Sequence, residues 1–265
     1  RDLHRRRHSF PTRPLPIWRA ILARAIVGSA LGALPVPFLD DWAIGAVLGS
    51  GYRRIAAAHQ VDLAPDAVRA LVHGKSEPAN LAELASAGIA SRIAGRAARR
   101  MLVALATVNR ARAAARTFVT MTLFDHYCAR LHTGLALDAP TAAALRDEID
   151  RTIAQTPGAL VLHPFRRGAA AALRQAVRAP LQLADLASRG ALRRLLARGG
   201  QVADAEAVDE LDRAVDTALT RDQGLLSRTV SAVETQLSAE GNPYLDAALD
   251  TLDHRWRARV AAGVR

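Results

Sequence analysis

The chain has one cysteine, one lysine and few aromatic side chains, and each shortage excludes something. Cys128 stands alone among 265 residues, so no internal disulfide can form, and the composition fits a reducing compartment. Lys75 is the single lysine against 35 arginines, a bias that a GC-rich genome explains without reference to function. Aromatics make up 4% of the residues, which leaves little for stacking on nucleic-acid bases. Alternating apolar and polar residues nowhere run beyond a few positions, which excludes an all-β fold. The longest uncharged apolar runs are 25–39 and 42–52. At 1.5 Å per residue the first is about 22 Å long, short of a bilayer core of about 30 Å, so neither run crosses a membrane alone.

Half of the residues are apolar and Ala and Leu dominate, which favours a packed, all-α protein over disorder. Proline and glycine divide it. Residues 1–16, with Pro11, Pro14 and Pro16, read as a basic extended arm. A multi-helix body follows over 17–198, opening with a helical hairpin at 17–59. Later helices are expected at 65–72, from Asn80 to His132 with breaks near Gly95 and Asn109, and from Pro140 to Thr156. Gly199-Gly200 is a strong helix stop. Beyond it three apolar stripes at helical spacing predict a small antiparallel three-helix bundle over 203–265. They are Val208–Leu211–Val215–Leu219, Leu226–Val230–Val233–Leu237 and Leu245–Leu249–Leu252–Trp256–Val260. Charge divides at the same place. Residues 1–198 hold 28 Arg, one Lys and 13 acids, for +16, and residues 199–265 hold 7 Arg and 12 acids, for −5. A basic body beside an acidic tail suggests that one surface covers the other.

The hairpin carries the clearest local signal. Pro35 and Pro37 stop the first arm, and Asp40 or Asp41 caps the second. Gly28 and Gly32 precede the turn and Gly45 and Gly49 follow it. Gly costs a helix about 1 kcal/mol against Ala, so paired glycines suggest that the two arms approach through them. Arg19, Arg24, Arg53 and Arg54 flank the outer ends of the arms. Two readings follow: a re-entrant or interfacial membrane hairpin, or a buried hairpin of a protein core. The acidic pair at the tip speaks against the first.

Pro35-Val36-Pro37-Phe38-Leu39-Asp40, followed by Arg54-Ile55-Ala56 and His59-Gln60-Val61-Asp62-Leu63, resembles segments of YcjF-type inner-membrane proteins and of the EcsC family. The resemblance covers about residues 25–63 and departs at Gln60, where the pattern has Gly. It implies helices and membrane association and brings no catalytic residue.

Three constellations bear on chemistry. Gly74-Lys75-Ser76 ends like a phosphate-binding loop, but Arg69 stands where that motif needs its first Gly. Asp125, Cys128 and His132 fall at i, i+3 and i+7, a spacing that places them on one helix face for a metal ion or a nucleophile–base pair. Arginine stripes form the third. Arg92, Arg96, Arg99 and Arg100 line one helix face, no acid occurs from Leu84 to Phe124, and Arg189 and Arg193 lie in a second basic stretch at 166–198. Such faces attract phosphates of anionic lipid or nucleic acid. The leading expectation is a non-enzymatic bacterial protein, with no cofactor, that associates with an anionic membrane surface or a protein partner. An enzyme or metal site built on Asp125, Cys128 and His132 is the alternative, and nucleic-acid binding through the arginines comes third. The expected location is the cytoplasm, with peripheral attachment to the inner membrane as its variant.

Overall fold

A computed structural model describes residues 15–31, 39–74, 96–160, 213, 215–217, 219–220, 225–240 and 243–263. Within them the protein is all-α. Its helices are α1 (Leu15–Leu31), α2 (Leu39–Ala58), α3 (Pro65–His73), α4 (Arg96–Arg130), α5 (Ala139–Gln155), α6 (Leu225–Glu240) and α7 (Pro243–Ala261), with a 3₁₀ turn at Pro157–Ala159. The sequence accounts for two of these starts. Pro65 opens α3 at its first position, where the missing N–H costs nothing. Asp138 caps α5 by accepting from the Thr141 amide.

α1 is the centre of the molecule. From Ala20 to Ser29 every residue is buried, and the helix packs on α2, α4 and α6. A helix that is apolar all round is a core helix or a membrane helix, and here protein encloses it. No helix among the described residues is long and apolar enough to cross a membrane. The first arm of the hairpin is therefore core. Phe118, Phe124, Tyr127, Leu145, Ile149, Leu252 and Trp256 continue the same cluster. Trp18 meets Phe118 edge-on at 4.7 Å, and Tyr127 meets Trp256 at 5.0 Å. Such offsets suit the ring quadrupoles.

Several expectations need correction. α4 runs 35 residues without the expected break at Asn109. One short parallel bridge, Asp62–Leu63 beside Ala136–Leu137, escapes the sequence because two residues carry no periodicity. Most of the first stripe of the expected C-terminal bundle lies outside the described residues. Val215, Leu226, Val230, Val233 and Leu237 join Ile21, Leu22 and Phe118 in one cluster, with α6 against α1 and α7 against α5 and α4. Val260, the last position of the third stripe, is exposed. Pro35, Pro37, Gly32 and the Gly199-Gly200 boundary lie outside the described residues. Asp40 and Asp41 fall within the first turn of α2, where negative charge suits the helix dipole.

The glycines do not act as one seam. A Cβ on Gly28 would lie 3.2 Å from Leu48 Cδ2 of the opposite arm. Gly45 and Gly49 face α3 instead, through His73 and Val68. Among the described hairpin glycines the tightest is Gly51, where a Cβ would come within 2.7 Å of Met121 Cε and 2.9 Å of Arg24 Cδ. Gly51→Ala should therefore cost about 1–3 kcal/mol through overpacking. Gly45→Ala, whose Cβ would sit 3.7 Å from His73, should leave stability unchanged or raise it by up to about 1 kcal/mol. Thermal melts separate the two, since each kcal/mol shifts Tm by about 2–4 °C in a chain of this size. Equal losses in both variants would contradict this packing.

Candidate functional site

Charged groups in the interior mark where this fold could act. Arg24 lies near the middle of α1, and its side chain is 1% exposed. The sequence places it among arginines flanking the hairpin's outer end; the structure places it inside the core. Burying a guanidinium is costly unless its donors are satisfied. Arg24 Nε donates to Ser50 Oγ at 3.2 Å and Nη1 to the Ala20 carbonyl at 3.3 Å. Nη2 donates to Asp216 Oδ1 at 3.3 Å. Asp216 Oδ2 accepts from Arg54 Nη1 of α2. One C-terminal carboxylate thus joins both arms of the hairpin. Ser50 is turned toward Arg24 by donating its own hydroxyl hydrogen to the Val47 carbonyl at 2.9 Å.

The same theme recurs across the molecule. Arg19 of α1 donates to Ser231 Oγ of α6 at 3.2 Å and lies 3.9 Å from Glu234. His126 of α4 pairs with Asp253 of α7 at 2.7 Å. Acids of the C-terminal segment thus meet basic groups of the body, as the charge division suggests. The direction reverses at Glu148, a carboxylate only 6% exposed on α5. It accepts from Arg151 at 2.7 Å and from Arg255 at 2.8 Å, with Arg259 at 3.6 Å.

The face proposed for catalysis or metal binding is not assembled. Asp125 accepts from Nε2 of His59, the first residue after α2, at 2.8 Å. His132 lies beyond the end of α4, with its Nδ1 3.3 Å from the Tyr127 hydroxyl. Burial, and then the charge of Asp125, push the Cys128 thiol well above its ordinary range, so it stays protonated and is a poor nucleophile and a poor metal ligand at neutral pH. Among the described residues no three His, Cys, Asp or Glu side chains converge as metal ligands. The helical periodicity that places these positions on one face ends at Arg130, two residues before His132.

Of the arginine stripes, Arg96, Arg99 and Arg100 occupy the first turns of α4. Arg92, Arg189 and Arg193 lie outside the described residues. Farther along α4, Arg112 is exposed and Arg116 pairs with Asp150 at 3.0 Å. Asp216 and Glu148 are among the polar groups that sequence reasoning did not single out. A usable signal existed for one of their partners, because Arg24 interrupts the apolar run from Ala20 to Gly28.

Two outcomes follow. Glu148→Gln removes the charge that holds three guanidinium groups. It should cost about 2 kcal/mol, below the 3–5 typical of breaking fully buried pairs, because Arg151 can return to water. A Tm within a degree of the parent would refute this. His132 provides the second. Burial lowers its pKa below the ordinary 6.5, against a smaller opposing effect of the Gly134 backbone. The folded state therefore binds the proton less readily than the unfolded one, and stability present above that value is lost as pH falls through it. Urea midpoints should drop between about pH 7 and pH 5.5, and less steeply in His132→Gln. Parallel profiles would remove His132 from the acid response. Compared with protein-family models, curated proteins and solved structures, the chain matches none.

Proposed function

We propose that this is a non-enzymatic helical protein that attaches to an anionic membrane surface through arginine-rich helix, lying on the bilayer without crossing it. The observation that carries the reading is α4. It is one continuous helix of 35 residues, about 50 Å long. From Arg96 to Phe124 it holds six arginines and no acid. The chain as a whole carries +11, which favours approach to an anionic leaflet. α1, the more apolar candidate for insertion, is enclosed by other helices, so the reading rests on charge and not on the hairpin. The resemblance of residues 25–63 to inner-membrane protein segments points the same way.

Each arginine at an anionic surface contributes about 1 kcal/mol, so three acting together raise binding about a hundredfold. Co-sedimentation with phosphatidylcholine vesicles, with and without phosphatidylglycerol, tests this. The parent should bind only the anionic vesicles and release with salt. Arg96→Gln/Arg99→Gln/Arg100→Gln should lose about two orders of magnitude in affinity. Equal binding to both vesicle types, or none to either, would overturn the reading in favour of a protein partner. Tighter binding to a DNA duplex than to anionic vesicles would overturn it in favour of nucleic acid.

A further inference from the structure

We propose that Arg259 and Arg151 form a binding site for a phosphate oxyanion at the seam between α5 and α7, with Glu148 as the carboxylate that organises it. The site uses no part of α4 and goes beyond the surface reading.

Glu148 is complete without Arg259. Its Oε2 accepts from Nε and Nη2 of Arg255, both at 2.8 Å, and its Oε1 accepts from Arg151 Nη1 at 2.7 Å. Arg255 Nη1 donates to Gln155 Oε1 at 3.1 Å. Arg259 arrives as a third guanidinium. Its Nη1 lies 3.6 Å from Glu148 Oε1, beyond hydrogen-bond distance, and its Nε is buried with no acceptor. A buried donor without an acceptor is destabilising, and an ion or a water molecule is the usual completion. Solvent is within reach of arginines at this end of α7. Arg257 is 70% exposed, whereas Arg259, two positions later, is 22% exposed. Arg259 also stands one turn beyond Arg255, where like charges repel. An arginine thus folds inward onto a cluster that already has surplus positive charge, and gains no hydrogen bond from it.

A phosphate oxyanion accounts for each of these features. Arg151 and Arg259 approach the same oxygen, Glu148 Oε1, so their guanidinium groups are neighbours although they come from different helices. The Arg151 side chain is 54% exposed, so a ligand reaches the pair from solvent, with Glu148 left where it is. Three guanidinium groups against one carboxylate leave two positive charges, and a phosphate monoester brings about −1.5 to −2 at neutral pH. Each guanidinium carries five N–H donors in a planar fork, more than Glu148 can accept from three of them. Glu148 holds the forks together on the inner side. The N–H groups it leaves unused suit an anion with several oxygens, which arginine binds in bidentate fashion.

The test titrates the full chain with inorganic phosphate at constant ionic strength, by calorimetry well below Tm. The parent should bind saturably. Arg259→Gln and Arg151→Gln should each weaken binding by about tenfold or more. Arg257→Gln, which removes the partner of Asp253 instead, should bind as the parent does. Because Arg259 makes no hydrogen bond to Glu148, Arg259→Gln should keep the parent's circular dichroism. The unaltered chain gives a readout that does not depend on any variant's folding: in nitrogen-15 spectra the Arg259 Nε–H resonance should shift as phosphate is added. Vesicles containing phosphatidylglycerol distinguish the two sources of the oxyanion. If they displace phosphate from the parent, the site takes a lipid headgroup; if they do not, it takes a soluble phosphate. Phosphate binding should survive in Arg96→Gln/Arg99→Gln/Arg100→Gln, so the surface reading can fail while this site stands. Absence of saturable binding by the parent, or binding by Arg259→Gln equal to the parent's, would overturn the site and leave the cluster as a joint between α5 and α7.

Discussion

A guanidinium enters a protein interior only with its donors accounted for, and Arg24 obliges several distant parts of this chain to meet that demand. It sits on the most enclosed helix of the fold. Its donors reach Ser50 on α2, the Ala20 carbonyl one turn back, and Asp216 nearly two hundred positions away in the chain. Gly51 is fixed as a consequence, because a methyl group there would strike the Arg24 chain as well as Met121. Replacing such a buried group and its partners by apolar residues is often neutral for stability. Its retention is better explained by specificity: the hairpin can pair with the C-terminal segment in one register only, the one that brings Asp216 to Arg24 and Arg54.

The other buried charges extend that logic outward. Glu148 binds α5 to α7 through Arg255, and His126 binds α4 to α7 through Asp253. Apolar packing alone is tolerant of sliding, since one Leu or Ala replaces another at modest cost. A core made largely of Ala, Leu and Val needs directional contacts to select one arrangement. Hydrogen-bonded ion pairs between elements remote in sequence supply them. This accounts for an acidic C-terminal segment joined to a basic body: opposite charge is used at the joints between helices, and apolar residues fill the space between the joints.

The helices were legible because their signals are local. Pro65 and Asp138 mark helix starts by rules that need only the neighbouring residues. Stripes such as Leu226–Val230–Val233–Leu237 report a buried face wherever that face is used, so the periodicity predicted burial and not the partner. The described part of those stripes shares one cluster with Ile21, Leu22 and Phe118. Glycine spacing likewise recorded close approach without recording to what. Gly28 meets α2, but Gly45 and Gly49 meet α3. The Asp125–Cys128–His132 alignment assumed a helix that stops at Arg130. Gln60 shows the converse. It has φ 58°, a backbone region that favours Gly. The Val61 amide donates to the Ala56 carbonyl at 2.9 Å and the Gln60 amide to Ala57 at 3.1 Å, the paired bonds of a helix C-terminal turn that favours Gly.

What the chain keeps inside bears on what it can do outside. The two uncharged runs that suggested membrane insertion are the most apolar material available, and α1 is committed to the core along the ten buried residues from Ala20 to Ser29. Exposing them to lipid would strip α1 of its contacts with α2, α4 and α6 and would carry Arg24 into hydrocarbon, where an unpaired guanidinium is costlier than in the protein. The remaining resource is charge. The hairpin arginines are partly engaged by C-terminal acids, whereas the start of α4 belongs to a segment without acids of its own. Positive charge that no neighbouring acid offsets extends its field into solvent to about the Debye length of 8–10 Å, while charge at the joints is spent locally. Arginine thus holds the joints between helices wherever an acid from a remote element meets it, as Asp216 meets Arg24 and Arg54 and Glu148 meets Arg255.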